Sequence, residues 1–174
     1  MALHFVRHGE TDFNARGRLQ GPIIDEPINA NGARQIRELV PALPEFELIF
    51  SSPLKRARMS AEIIARATGK ALVLREDLSE RSFGSLAGKT WDEIPDGEAL
   101  RLADRELRYD YRPYGGEAVE DVEARLRSFF RDAEATGYGS VLAVSSMGII
   151  RLAYKLKLGR AVAHIANASL HSFR

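Results

Sequence analysis

The chain has 174 residues, 45% of them apolar and 28% charged, with no cysteine. That length fits one domain burying roughly 70% of its unfolded surface, and the composition excludes a disordered chain; the missing cysteine excludes disulfide scaffolds, thiolate metal sites and Cys nucleophiles. Lys and Arg number 25 against 24 Asp and Glu, a net charge of +1, so nothing points to a nucleic-acid or membrane surface.

The first ten residues, MALHFVRHGE, meet Arg7 and His8 too early for a signal peptide, and the longest uncharged run, ending at Ile150, is too short to span a bilayer. A soluble cytoplasmic protein is expected. Leu3–Val6 is a short apolar run cut off by Arg7-His8-Gly9 and reads as a buried strand. Ala33, Ile36, Leu39 and Val40 recur at helical spacing over 30–40, and Pro41 stops that helix. Leu48–Phe50 is a second buried strand. Ser52-Pro53 reads as the N-cap and first residue of a helix that runs to about Ala67 and is closed by Gly69. Ala71–Leu74 is a third strand.

Residues 84–116 are irregular in period and rich in Gly, Tyr and Arg, and they hold the only Trp. They read as an insertion or lid over a site, with helix near 99–107. Arg101, Arg105, Arg108 and Arg112 either face an anionic substrate or form a solvated face with Asp104, Glu106 and Asp110. Val119, Val122, Leu126, Phe129, Phe130 and Ala133 form a helical stripe ended by Gly137. Val141–Val144 is a fourth strand, Gly148–Leu158 a helix and Ala168–Phe173 a last strand.

Strands alternating with helices predict a three-layer α/β/α sandwich around a mostly parallel sheet. In such sheets ligands bind at the carboxyl ends of the strands. Those ends carry Arg7-His8-Gly9-Glu10-Thr11, Ser51-Ser52-Pro53 with Arg56 beyond, Glu80-Arg81, and Ser145-Ser146-Met147-Gly148. Two arginines beside a histidine suit phosphate. A neutral imidazole can attack phosphorus, and neighbouring guanidinium groups lower its proton affinity. Glu80 could protonate the leaving oxygen and then activate water, a task for which a raised pKa is expected; an ion pair with Arg81 or Arg75 is the plainer reading. The excess of 20 Arg over 5 Lys fits phosphate recognition, or only a GC-rich genome. Other chemistries lack their parts: no P-loop, no G-x-G-x-x-G, no H-E-x-x-H and no cysteines to complete a deaminase zinc site.

These motifs resemble those of the histidine phosphatase superfamily, which includes the cofactor-dependent phosphoglycerate mutases. Arg7-His8-Gly9-Glu10-Thr11 with Asn14 is similar to its R-H-G-E-T-x-x-N signature. Gly17-Arg18-Leu19-Gln20-Gly21, Pro27-Ile28-Asn29 with Gly32, Ser51-Ser52-Pro53-Leu54-Lys55-Arg56-Ala57, Leu78-Ser79-Glu80-Arg81-Ser82-Phe83-Gly84, Gly115-Gly116-Glu117 and Asn167-Ala168-Ser169 follow in family order. The resemblance implies that His8 is the phosphorylated nucleophile and Glu80 the proton donor. Arg7, Asn14, Arg56 and the residue at 146 would bind the phosphoryl group, and Gln20, Gly21 and Phe83 the rest of a small phosphorylated metabolite. It implies no metal and no cofactor, and leaves monomer and homodimer open.

One position departs. The family carries S-H-G after the fourth strand, and Ser146 stands here where that second histidine is expected. A lost charge-assisted hydrogen bond is worth about 1.5–3 kcal/mol. The leading expectation is therefore a phosphate monoester hydrolase, slowed or retuned by Ser146. A phosphate-binding pseudophosphatase is the alternative. A phosphoglycerate mutase is a further one, which the short insertion after Glu80 disfavours. His4 and His171 read as structural strand residues, with His171 a candidate to replace the missing histidine only if the last strand flanks the site.

Overall fold

The computed structural model describes residues 1–173. Each central strand is apolar on both faces, and that sets the layering. In β1 (Ala2–Arg7), Phe5 faces one side and Val6 the other. In β2 (Leu48–Ser51), Phe50 and Ile49 divide the same way, as do Ala143 and Leu142 of β4 (Ser140–Ser145). The sheet runs β3-β2-β4-β1-β5, where β3 is Leu72–Leu74 and β5 is Leu170–Phe173. Four strands are parallel, and β5 pairs antiparallel with β1. Strands covered on both faces need helices on both sides.

One face is closed by α2 (Ala30–Leu39) and α3 (Lys55–Thr68), which bury Ile36, Ala57, Ala61 and Ile64 against Ile49 and Leu142. The other is closed by α5 (Val119–Ala135) and α6 (Met147–Leu158). The predicted stripe on α5 is the buried face, and Phe129 packs edge-on to both Phe5 and Phe50. A short α1 (Asp12–Ala15) follows β1, with Thr11 and Asn14 forming a reciprocal capping box. It has no apolar period to announce it. Among the described residues no helix is long and apolar enough to cross a membrane.

The start of α3 differs from expectation. Ser52 is not its N-cap, and the helix begins at Lys55 after an extended Leu54. Ser52 Oγ accepts from the Leu54 N–H at 3.3 Å, inside the preceding turn. The Lys55 N–H is instead capped by Asp25 Oδ1 at 2.7 Å, from a loop thirty residues earlier. The other end behaves as read: Gly69 at φ +70° closes the helix through its N–H to Ala65 O.

The segment 84–116 carries three single-turn 3₁₀ helices and α4 (Gly97–Arg105). It buries Leu86, Ile94, Leu107, Tyr109 and Tyr111 in the α5–α6 core. It thus flanks the sheet's carboxyl edge as packed structure.

Candidate active site

The carboxyl ends of β1 and β4 lie side by side, with Arg7 opposite Ser145. Where the chain leaves β1 it passes very close to the start of α2. A Cβ on Gly9 would come within 2.4 Å of Gly32 O, and one on Gly32 within 2.3 Å of Glu10 O. Only glycine at both positions allows this approach, which fixes the turn that presents His8.

His8 is buried, and its Nδ1 lies 2.7 Å from Gly9 O. A carbonyl only accepts, so Nδ1 carries the proton and Nε2 keeps its lone pair. Burial, with the charges of Arg7 and Arg56, holds the imidazole well below its ordinary pKa. The ring is therefore neutral at neutral pH.

Arg7 and Arg56 are both buried, at 8% and 1% exposure. Their hydrogen bonds go to backbone oxygens: Arg7 Nη1 to Ile165 O at 2.5 Å, Arg56 Nη2 to Gly21 O at 2.9 Å and Nη1 to Ile24 O at 3.3 Å. Among the described residues neither forms a salt bridge, and Arg7 Nε is buried without a partner. Burial pushes Arg7 down to about 10, which leaves it charged at neutral pH. Asn14 Oδ1 accepts from the Thr11 N–H and from Asn167 Nδ2, so its amide NH₂ is the end left for a ligand. Gln20 is held by Nε2 donating to Thr11 Oγ1, and Gly21 at φ +61° carries the oxygen that steadies Arg56.

Glu80 is held by three donors. Oε1 accepts from the Arg81 N–H and from Arg81 Nη1, and Oε2 accepts from the Gly148 N–H at the start of α6. The expected upward shift does not occur. Burial alone raises the carboxyl, but Arg81, two backbone N–H bonds and Arg56 outweigh it, and the pKa is lowered. Glu80 is a carboxylate paired with Arg81 at 2.8 Å.

Arg7, His8, Asn14, Gln20, Gly21, Arg56, Glu80 and Phe83 all line one cleft of about 550 Å³. Ser146 is not part of that lining. It is 1% exposed, caps α6 with extended backbone but no side-chain bond, and its Oγ has no partner. The arginines of the 84–116 segment divide. Arg101 and Arg105, one turn apart on α4, reach the cleft, whereas Arg108 and Arg112 pair with Glu106 and Asp110. His171 bonds to Tyr154 and Ser169 and His4 to Ser172, so neither replaces a catalytic histidine. His164, unassigned by motif, stands exposed on the cleft rim.

Three residues of the site were not legible as such. Arg81 was visible only as a partner for Glu80, yet it is 2% exposed and lines the cleft. Asp104 was hidden among the charges of α4. Arg151 had a signal, as a single charge inside the apolar run Gly148-Ile149-Ile150-Arg151-Leu152-Ala153 on a buried helix.

A family model described as "histidine phosphatase superfamily (branch 1)" matches residues 3–174. The chain is 38% identical over 128 residues to the uncharacterized phosphatase PhoE of Bacillus subtilis, a match covering 72% of this chain and 60% of the relative. It is 35% identical over 136 residues to the fructose-2,6-bisphosphatase TIGAR B of Danio rerio, covering 75% of this chain and 52% of the relative. The chain thus spans less than two thirds of either relative. A crystal structure of phosphoglycerate mutase from Thermus thermophilus superposes with a TM-score of 0.81 at 32% identity, covering 99% of this chain and 92% of that one. The clustering of its motifs at one sheet edge, the phosphoglycerate mutase-like fold and the full-length match together place the chain in the histidine phosphatase superfamily.

Proposed function

We propose that the protein hydrolyses small phosphate monoesters through a phosphohistidine on His8. One observation carries the reading: two buried guanidinium groups, Arg7 and Arg56, form no salt bridge among the described residues, feel only Glu80 as a shared nearby carboxylate, and flank a neutral imidazole. Buried charges with too little counter-charge are costly, and a bound phosphoryl group supplies the negative charge that Glu80, already paired with Arg81, does not. The phosphatase names of two relatives support the same class.

His8 Nε2 attacks phosphorus as the P–O bond to the leaving group breaks, and Arg7, Arg56 and the Asn14 amide hold the phosphoryl oxygens. The leaving oxygen takes a proton from Glu80. Glu80 is ionised on its own contacts, so it must first gain that proton. A substrate bound as the monoanion carries one, and the dianion formed on giving it up raises the neighbouring carboxyl. Water then attacks the phosphohistidine, Glu80 takes the water proton, and His8 departs neutral. Gln20, Gly21 and Phe83 border the space for the ester group, and Ser146 Oγ, unpartnered at the start of α6 but outside the cleft lining, would serve as a neutral phosphoryl donor only if the start of α6 shifts on binding.

Hydrolysis is favoured over mutase transfer because the insertion after Glu80 is short. The test is p-nitrophenyl phosphate hydrolysis by the protein and by His8→Ala, each with and without a chelator, plus acid-quench trapping of the phosphoenzyme. Turnover that needs His8 and survives chelation supports the reading. Equal turnover by purified His8→Ala overturns it, and phosphate binding without turnover favours the pseudophosphatase.

A further inference from the structure

Asp104 lies near the end of α4, in the segment read from sequence as a lid, yet it is 3% exposed. Its carboxylate accepts four hydrogen bonds: from Arg81 Nε and Nη2 at 2.9 Å each, from Arg151 Nη1 at 2.9 Å, and from the Tyr111 hydroxyl at 2.7 Å. Arg81 is therefore shared between two carboxylates, gripping Asp104 with two nitrogens and Glu80 Oε1 with the third. Its guanidinium also lies over the rings of Phe83 at 4.7 Å and Tyr109 at 5.4 Å. Arg151 sits one turn beyond Gly148 on α6, and Gly148 is the donor to Glu80 Oε2.

We infer that Asp104 is a positioning residue for Glu80: by holding Arg81 and Arg151 it fixes the two supports, Arg81 Nη1 and the Gly148 N–H, on which the Glu80 carboxylate rests. This rests on the acid–base role proposed for Glu80. No motif assigns the residue, since α4 belongs to the irregular part of the sequence.

Asp104 has a second effect through charge. Glu80 faces Arg81 from its own segment, Arg7 from the end of β1, Arg56 from α3, the N-terminus of α6, and Tyr109. Most of these favour the carboxylate. Asp104 balances Arg81 and so keeps Glu80 able to accept a proton when substrate arrives. Asp104→Asn leaves Arg81 to Glu80 alone, holds Glu80 as the anion and weakens it as a proton donor. A leaving alkoxide needs that proton, whereas p-nitrophenolate departs as the anion.

The experiment compares kcat/KM for glycerol phosphate and p-nitrophenyl phosphate in the parent, Asp104→Asn, Asp104→Glu and Asp104→Asn/Arg151→Gln. The double variant removes one buried charge of each sign, so it carries the test if Asp104→Asn unfolds. We expect the alkyl substrate to lose about 10²-fold and the aryl substrate much less. The alkaline limb of kcat for the alkyl substrate, which reports Glu80 in the bound complex, moves down by about one pH unit, and Asp104→Glu restores part of the loss. Equal losses on both substrates with an unmoved pH profile, in either Asn variant, overturn the inference and leave Asp104 purely structural. His8→Ala run alongside separates the two levels: its retention of activity overturns the phosphohistidine reading and this inference with it, whereas an unchanged substrate ratio overturns the inference alone.

Discussion

The Gly148 N–H donates to Glu80 Oε2 at 3.2 Å, and no side chain fits between them. A Cβ at position 148 would lie 2.4 Å from Glu80 Oε1 and 1.7 Å from Arg81 Nη1. Neither neighbour can swing aside, because Arg81 is bonded through all three nitrogens and Glu80 through both oxygens. Gly148→Ala must push the start of α6 away from Glu80. A displacement near 1 Å at a reacting group costs about 10²-fold in rate, and overpacking of this kind costs about 1–3 kcal/mol of stability. We expect both losses, in p-nitrophenyl phosphate turnover and in thermal unfolding. A parent-like rate in Gly148→Ala would show that the helix start yields freely.

The depressed pKa of His8 has a sign that can be checked. Free histidine titrates near about 6.5, and His8 lies well below its ordinary value. Between those two values the unfolded chain binds a proton that the folded chain does not. Stability contributed by neutral His8 is therefore whole above about 6.5 and is lost as pH falls toward the folded value. Glu80, also depressed, adds a loss of the same sign in the more acidic range. We expect the melting temperature to fall as the solution is acidified from about pH 7.5 to about 5.5, and His8→Gln to flatten that slope. Proton NMR over the same range should show the signal missing in His8→Gln to be one that does not titrate in the parent. Titration near the ordinary value would contradict the electrostatic picture.

What the sequence shows of this site follows from the sheet. Arg7, His8, Arg56 and Glu80 stand within a few residues of apolar runs that read as strands, and parallel strands bring their carboxyl ends to one edge. Local reading fails where the determining partner is distant. The start of α3 is set by Asp25, and the ionisation of Glu80 by a guanidinium adjacent in sequence but shared with Asp104 of α4. Asp104 itself has ordinary charged neighbours, Arg101, Arg105 and Glu106, and only the packing of α4 against Tyr111 and Arg151 shows that it is buried.

Ser146 sets a stability cost against a function. Its Oγ is buried with no partner, and an unpaired buried hydroxyl costs about 1–3 kcal/mol. Replacing an N-cap serine by alanine normally destabilises a helix, but this serine makes no capping bond, so that loss does not arise. Ser146→Ala should therefore stabilise the ligand-free protein by about 1 kcal/mol, seen as about 2–4 °C in melting temperature. If Oγ is a phosphoryl donor, the same change weakens orthophosphate binding and lowers kcat/KM about tenfold. A stabilised variant with parent-like kinetics would remove Ser146 from the site.

Asn167 ties the last strand's approach to His8, the nucleophile proposed above. Its Nδ2 donates to His8 O and to Asn14 Oδ1, both at 3.1 Å, and the next residue, Ala168, sits at φ +51° with its N–H toward Arg7 O. One amide group thus steadies the backbone of His8 and turns the Asn14 NH₂ toward the cleft. Asn167→Ala loses both bonds, at about 1 kcal/mol each, and should raise KM and lower kcat/KM about tenfold with the fold intact. Asn167→Asp is the sharper variant. It loses the donor and sets a carboxylate against Asn14 Oδ1 and the incoming phosphate, so like charges meet where the dianion binds. Steady-state kinetics and orthophosphate titration should rank parent above Asn167→Ala and Asn167→Ala above Asn167→Asp. If Asn167→Asp binds orthophosphate as tightly as Asn167→Ala, the Asn167–Asn14 bond does not reach the anion, and Asn14 holds only the turn after β1.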